Sequence, residues 1–223
     1  MPLQHLPYWI QCGAFLLAIN AGMINVLGLL SMLHQSVSHM TGNASLLAQA
    51  IVLMQGPQIL YLSLILCSYV LGSAYSGFII GNSHFALNRR YAVPLGLVTL
   101  FIVLCWIFLP MFPRYALLWA VAAMGIQNAM VSHYRGAIIR TTHLSGVLTD
   151  LGLSLGYYLK GLKSNARRII LHLLILLGFI VGGIIASIAY PYLQLNAFLL
   201  PAALSFSICV VYWVLFRISQ LHE

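Results

Sequence analysis

Six apolar runs of about twenty residues, almost free of charge, constrain this chain more than anything else in it. They cover residues 8–33, 58–80, 92–109, 115–134, 169–190 and 197–216. A helix rises about 1.5 Å per residue, so each run is long enough to cross a bilayer. Only 5% of the residues are charged while 62% are hydrophobic, against about 25% charged in a typical soluble domain. Such a chain cannot cover its surface in water, but in lipid it does not need to. The expected fold is therefore an all-α integral membrane protein with six transmembrane helices. Pro57, Pro110, Pro113 and Pro191 fall at or near run ends, where proline interrupts a helix at little cost.

Two shorter apolar stretches, 41–54 and 145–159, read either as short spans or as re-entrant half-helices. Charge decides between these readings. With six spans, one side receives Arg89, Arg90, Arg135, Arg140, Lys160, Lys163, Arg167, Arg168 and Arg217, and the other only Arg114. That split is nine to one; if the short stretches also cross, it becomes six to four. Basic residues gather on the cytoplasmic side of membrane proteins. The short stretches are thus expected to dip in and return on one side, with both termini cytoplasmic.

An internal repeat organises the chain. Ser38-His39-Met40-Thr41-Gly42 returns as Thr142-His143-Leu144-Ser145-Gly146, offset by 104 residues. Upstream, Gly22-Met23-Ile24-Asn25 matches Gly125-Ile126-Gln127-Asn128 at an offset of 103. Downstream, Leu71-Gly72 and Gly77 are matched with Leu177-Gly178 and Gly183 at an offset of 106, and Ser45 with Thr149. Each copy contains three crossings, an odd number, so the second would enter upside down. The expected units are residues 1–111 and an inverted 112–223, forming one membrane domain. Inverted repeats with broken helices recur in channels and secondary transporters.

The motif residues suit a helix that starts inside the membrane. Such a start leaves up to four amides unpaired, each costly in hydrocarbon. Ser and Thr are good caps, Gly permits close approach, and His can donate, accept or bind a proton. The partly positive helix start favours an anionic or electron-rich ligand. His39 and His143 read as satisfying their own turns, as lining a solute path or, less naturally, as metal ligands, since Asp150 is the only nearby carboxylate. Asn25, Gln127 and Asn128 read as glue between helices or as solute contacts. The Gly72/Gly77, Gly152/Gly156 and Gly178/Gly182 sets read as close-packing sites. Asp150 is a functional candidate by its place in an apolar segment, or else a partner for Arg140 or Lys160.

Other classes fit less well. Cys12, Cys67, Cys105 and Cys209 lie singly in apolar runs, which suits small buried hydrophobes rather than disulfides or zinc. The excess of basic residues sits between the apolar runs, so nucleic acid is not an expected partner. The N-terminus lacks the pattern of a cleaved signal peptide, and the first span is expected to direct insertion. No Ser-Lys pair, carboxylate pair or HExxH suggests an intramembrane enzyme.

At residues 21–25, 38–43 (SHMTGN), 125–129 (GIQNA) and 141–146 (TTHLSG) the chain resembles the YoaK-like family of bacterial membrane proteins, a family of unknown function. The resemblance extends over essentially the whole chain. It implies a six-span protein of the bacterial inner membrane and no particular activity. Members often carry Asp where this chain has Asn25, and an amide cannot take up a proton or balance a cation there.

The leading expectation is a channel or secondary transporter for a small solute, an anion or weak acid. It would be lined by His39, Thr41, Gly42, Asn43, His143, Ser145 and Gly146, with Asn25 and Asn128 adding polar contacts and Asp150 a further candidate. Arg140 would attract anions at the cytoplasmic mouth. The alternative is a non-transporting membrane scaffold. The bilayer and the solute are the expected partners, glycine-rich faces would suit a homodimer, and no cofactor or metal is expected.

Overall fold

The computed structural model describes residues 8–31, 34–81, 89–132, 141–162 and 166–221, without the side chains of residues 89, 90, 167, 168, 219 and 221. Eight α-helices follow one another among them: α1 (Tyr8–Leu30), α2 (Met40–Val52), α3 (Gly56–Ile80), α4 (Arg89–Phe108), α5 (Pro113–Ser132), α6 (Leu144–Leu159), α7 (Ala166–Leu193) and α8 (Leu199–Leu221). No strand occurs among the described residues. Six helices hold 20 to 28 residues, or at least about 30 Å of rise. The other two, α2 and α6, hold 13 and 16 residues, about 20 and 24 Å, too short to cross the hydrocarbon layer upright. The stretch Ile169–Ile218, predominantly apolar, is long enough for two crossings. A 3-10 turn at Gln194–Phe198 divides it into α7 and α8. Pro191 lies within the last turn of α7, two residues before its end at Leu193.

The surface shows which solvent surrounds the molecule. Phe78, Leu71, Ile188 and Val211 are exposed, whereas Asn20 and Gln127 are fully buried and bonded to each other, Asn20 Nδ2 donating to Gln127 Oε1 at 2.9 Å. Apolar outside with polar groups paired inside is the arrangement lipid favours.

Helix pairing follows from small residues. A side chain at Gly182 would stand 2.0 Å from the carbonyl oxygen of Ile19, and one at Gly22 2.0 Å from that of Phe179, so α1 and α7 touch backbone to backbone. Likewise Gly72 abuts the carbonyl of Ala122 and Gly125 that of Tyr69, joining α3 to α5. Each of these pairs runs in one direction: Gly178 lies by Phe15 and Gly182 by Ile19, while Arg114 lies over the Tyr61 ring and Ser73 Oγ donates to the Gly125 carbonyl. By contrast α4 and α8 are antiparallel, with Trp106 bonded to Asn196 and Thr99 to Ser205.

These contacts correct the downstream register of the repeat. Gly22 meets Phe179 as Gly125 meets Tyr69, and Gly72 meets Ala122 as Gly182 meets Ile19. Tyr69 therefore matches Phe179 and Gly72 matches Gly182, an offset of 110 rather than 106. The starts of α3 and α7, Gly56 and Ala166, are separated by the same 110. A four-residue shift is about one helical turn, so leucines and glycines still matched in the wrong register. Close packing also fails at Gly77, Gly152 and Gly156, where an added Cβ would meet nothing within 4 Å.

The short helices end alike. At the end of α2, the Met54 amide bonds to Ile51 and that of Gln55 to Ala50; at the end of α6, Gly161 bonds to Tyr158 and Leu162 to Tyr157. Met54 and Gly161 both take positive φ, 52° and 70°. This is the Schellman ending, which glycine adopts without strain. From it, α2 folds back along α3 and α6 packs on α7.

Candidate functional site

The two motifs adopt one local geometry. His39 caps α2 with φ −90° and ψ 71°, and His143 caps α6 with φ −93° and ψ 66°. Neither makes a side-chain cap bond. The expected Ser or Thr caps are thus replaced by histidines, and the hydroxyls work elsewhere. Each imidazole folds over the first turn of its own helix. A Cβ at Gly42 would stand 2.4 Å from His39 Cδ2, and one at Gly146 2.7 Å from His143 Nδ1. A side chain at the Gly three residues after each His would therefore push the ring out of the position it takes here. One turn further, Ser45 donates to the Thr41 carbonyl and Thr149 to the Ser145 carbonyl.

An asparagine anchors each motif to the preceding long helix. Asn25 Oδ1 accepts from Ser36 Oγ at 2.8 Å and from both Ser38 Oγ and the Ser38 amide at 3.1 Å. Asn128 Oδ1 accepts from Thr141 Oγ1 at 3.1 Å, and its Nδ2 donates to Tyr69 Oη at 2.7 Å and to Thr142 Oγ1. Gln127 adds a second tether, donating to Thr141 Oγ1 and to the Leu17 carbonyl. These amides fix the loops, as buried polar groups normally must be satisfied.

A cavity of about 750 Å³ has walls from both motifs. Asn25, His39, Thr41, Asn128, His143 and Ser145 line it, so six of the sequence candidates converge. Gly42 and Gly146 lie beneath the histidines rather than on the wall. Asn43 is buried behind it, accepting from Gln35 Nε2 and donating to the Ser36 carbonyl. Asp150 is not on the wall; its carboxylate lies 3.4 Å from His172 Nε2, a partner the sequence reading did not name. Arg140 lies outside the described residues. No group of three or more His, Cys, Asp or Glu occurs among the described residues.

The sequence reading missed wall residues Ser36, Ser38, Tyr69, Ser73, Ser132 and Thr142. Ser38 and Thr142 open the motifs themselves. Tyr69 and Ser73 are one turn apart on α3; their counterparts on α7 are Phe179 and Gly183, which makes one wall more polar than the other.

The family model for "Protein of unknown function (DUF1275)" matches residues 13–211. The chain belongs to this family. DUF1275 membership agrees with the YoaK-like resemblance of the motifs. The chain is also similar to the UPF0700 transmembrane protein YoaK of Bacillus subtilis (strain 168), 28% identical over 184 residues, covering 79% of this chain and 82% of that protein. No solved structure matches. With its series of long apolar helices, this DUF1275 chain is a multi-pass membrane protein.

Proposed function

We propose that this protein is a channel or secondary transporter for a small anion or weak acid, in the bacterial inner membrane. The observation that supports it is the single cavity whose walls include both histidine motifs. A scaffold would have no need of a cavity with imidazoles, hydroxyls and amides on its walls there. First-turn residues of two helices form the walls, Met40 and Thr41 from one and Leu144 and Ser145 from the other. Two partly positive helix starts, imidazoles and hydroxyls together favour a negatively charged or electron-rich solute.

In this reading the six long helices cross, and residues 1–111 and 112–223 are inverted copies. Helix directions support it. If α1 runs outward, α7 does too, and α8, antiparallel to α4, runs inward. Then α4 runs outward, while α5 and α3, parallel to each other, run inward. The two short helices end at opposite faces and begin near the middle. His39 and Tyr69 are each about 20 Å, or 13 to 14 residues, from the α2–α3 turn. The nine-to-one basic split then puts both termini in the cytoplasm.

Flux in proteoliposomes tests the reading, with chloride, nitrate, sulfate and formate as probes and protein-free liposomes as control. Protein-dependent flux of at least one anion is expected, lost in a His39→Ala, His143→Ala double variant that still purifies as a folded protein. Wild-type vesicles no leakier than the control would remove the proposal.

A further inference from the structure

We propose that Asp150 and His172 form the proton site that couples transport to the pH gradient. This deepens the transport reading and rests on it. Asp150 and Glu223 are the only acidic residues of the chain. Asp150 lies seven residues along α6 from His143, about two turns toward the α6–α7 end. Its Oδ2 meets His172 Nε2 at 3.4 Å, with the imidazole 7% exposed and the carboxylate 32%. His172 in turn lies seven residues before Phe179, which lines the cavity. The pair is thus two turns from the solute cavity on both helices.

The first half shows that packing alone does not require this pair. At offsets of 104 and 110, the residues matching Asp150 and His172 are Leu46 and Leu62. One half of the molecule carries leucines at these two positions, Leu46 exposed and Leu62 buried, and the other carries two ionisable groups. Ionisable side chains inside a membrane segment are expensive to keep without a role.

The chemistry gives that role. A carboxylate beside a neutral imidazole is held by a hydrogen bond at most; one proton on Nε2 turns the same contact into a charge-assisted ion pair. Such a pair holds its two helices together more strongly than the neutral-imidazole contact does. The α6–α7 contact therefore closes most readily when protonated and opens to water when the proton leaves. Other ionisable groups on the neighbouring elements are His143, Tyr157, Tyr158 and Lys160 on α6, Arg167 and Arg168 one turn before His172 on α7, and exposed Tyr8 and Cys12 on α1. None of these is a carboxylic acid, so Asp150 supplies the only side-chain carboxylate among the described residues.

The test uses proteoliposomes loaded with a pH-sensitive dye and whichever anion of the four-anion panel shows the largest protein-dependent flux. With one proton per anion, a one-unit pH gradient should drive about tenfold accumulation in the wild type, accompanied by proton entry. In Asp150→Asn, and in a combined Asp150→Leu, His172→Leu variant that copies the first half, accumulation should fall to about onefold while counterflow at equal pH stays within about twofold. Asp150→Glu should restore accumulation. Wild-type-like accumulation in either the Asn or the double-Leu variant overturns the coupling while leaving transport intact. So does flux in the wild type that ignores the pH gradient. Loss of counterflow together with accumulation in a folded double-Leu variant overturns it as well. Absence of any wild-type flux removes the transport reading and the coupling with it.

Discussion

At the scale of single residues, Asn25 and Asn128 use their amides differently. Among the described residues, the hydrogen bonds of Asn25 all converge on its Oδ1, whereas Asn128 also donates through Nδ2. A carboxylate at position 25 would keep every one of those acceptor bonds while adding a negative charge to the cavity wall. Asn25→Asp should therefore leave the thermal unfolding midpoint unchanged and lower anion flux by about tenfold or more through like-charge repulsion. Unchanged or faster flux would count against an anionic solute. The motif histidines, Asn25 and Asn128 were legible in the sequence because the repeat marked them twice. Tyr69 and Ser73 were not, because they occur in one half only and repetition cannot reveal an asymmetric residue. His172 escaped for a related reason: its counterpart is Leu62, and a histidine in an apolar run gives no sign of which helix it faces.

At the scale of helices, glycines sort into two kinds that the sequence could not separate. Gly182 sits against a backbone carbonyl, which cannot rotate away, while Gly77 faces open space. Gly182→Ala should destabilise the α1–α7 contact by about 1–3 kcal/mol, read as a lowered unfolding midpoint in detergent. Gly77→Ala should change stability by no more than about 0.5 kcal/mol. Equal effects would mean that the α1–α7 packing is wrong. The ends of α2 and α6 give a second contrast. Met54 is held at φ 52°, where its counterpart Gly161 is unstrained. Met54→Gly should stabilise the turn and Gly161→Ala weaken it, each by about 1 kcal/mol. Helix positions were readable to within a few residues, since apolar length sets them. Register between helices was not, because it depends on which small residues meet.

For the whole molecule, the proposed crossing pattern has α2 end at one face of the membrane and α6 at the other. A cysteine introduced at Gln55 in a background lacking the native cysteines should react with a membrane-impermeant reagent from outside intact cells. One at Leu162 should react only after the membrane is opened. Labelling of both from one side would contradict the opposed arrangement of the short helices. The pairing of α1 with α7 and of α3 with α5 also has a consequence for biogenesis. The first helix leaves the ribosome long before its main partner: about 150 residues separate them, roughly 10–30 s of synthesis. During that interval its glycine face must wait in lipid or be shielded by an insertion factor. A nascent chain arrested before residue 166 should therefore be a ready target for membrane quality-control proteases, and separately synthesised halves should escape degradation only when made together.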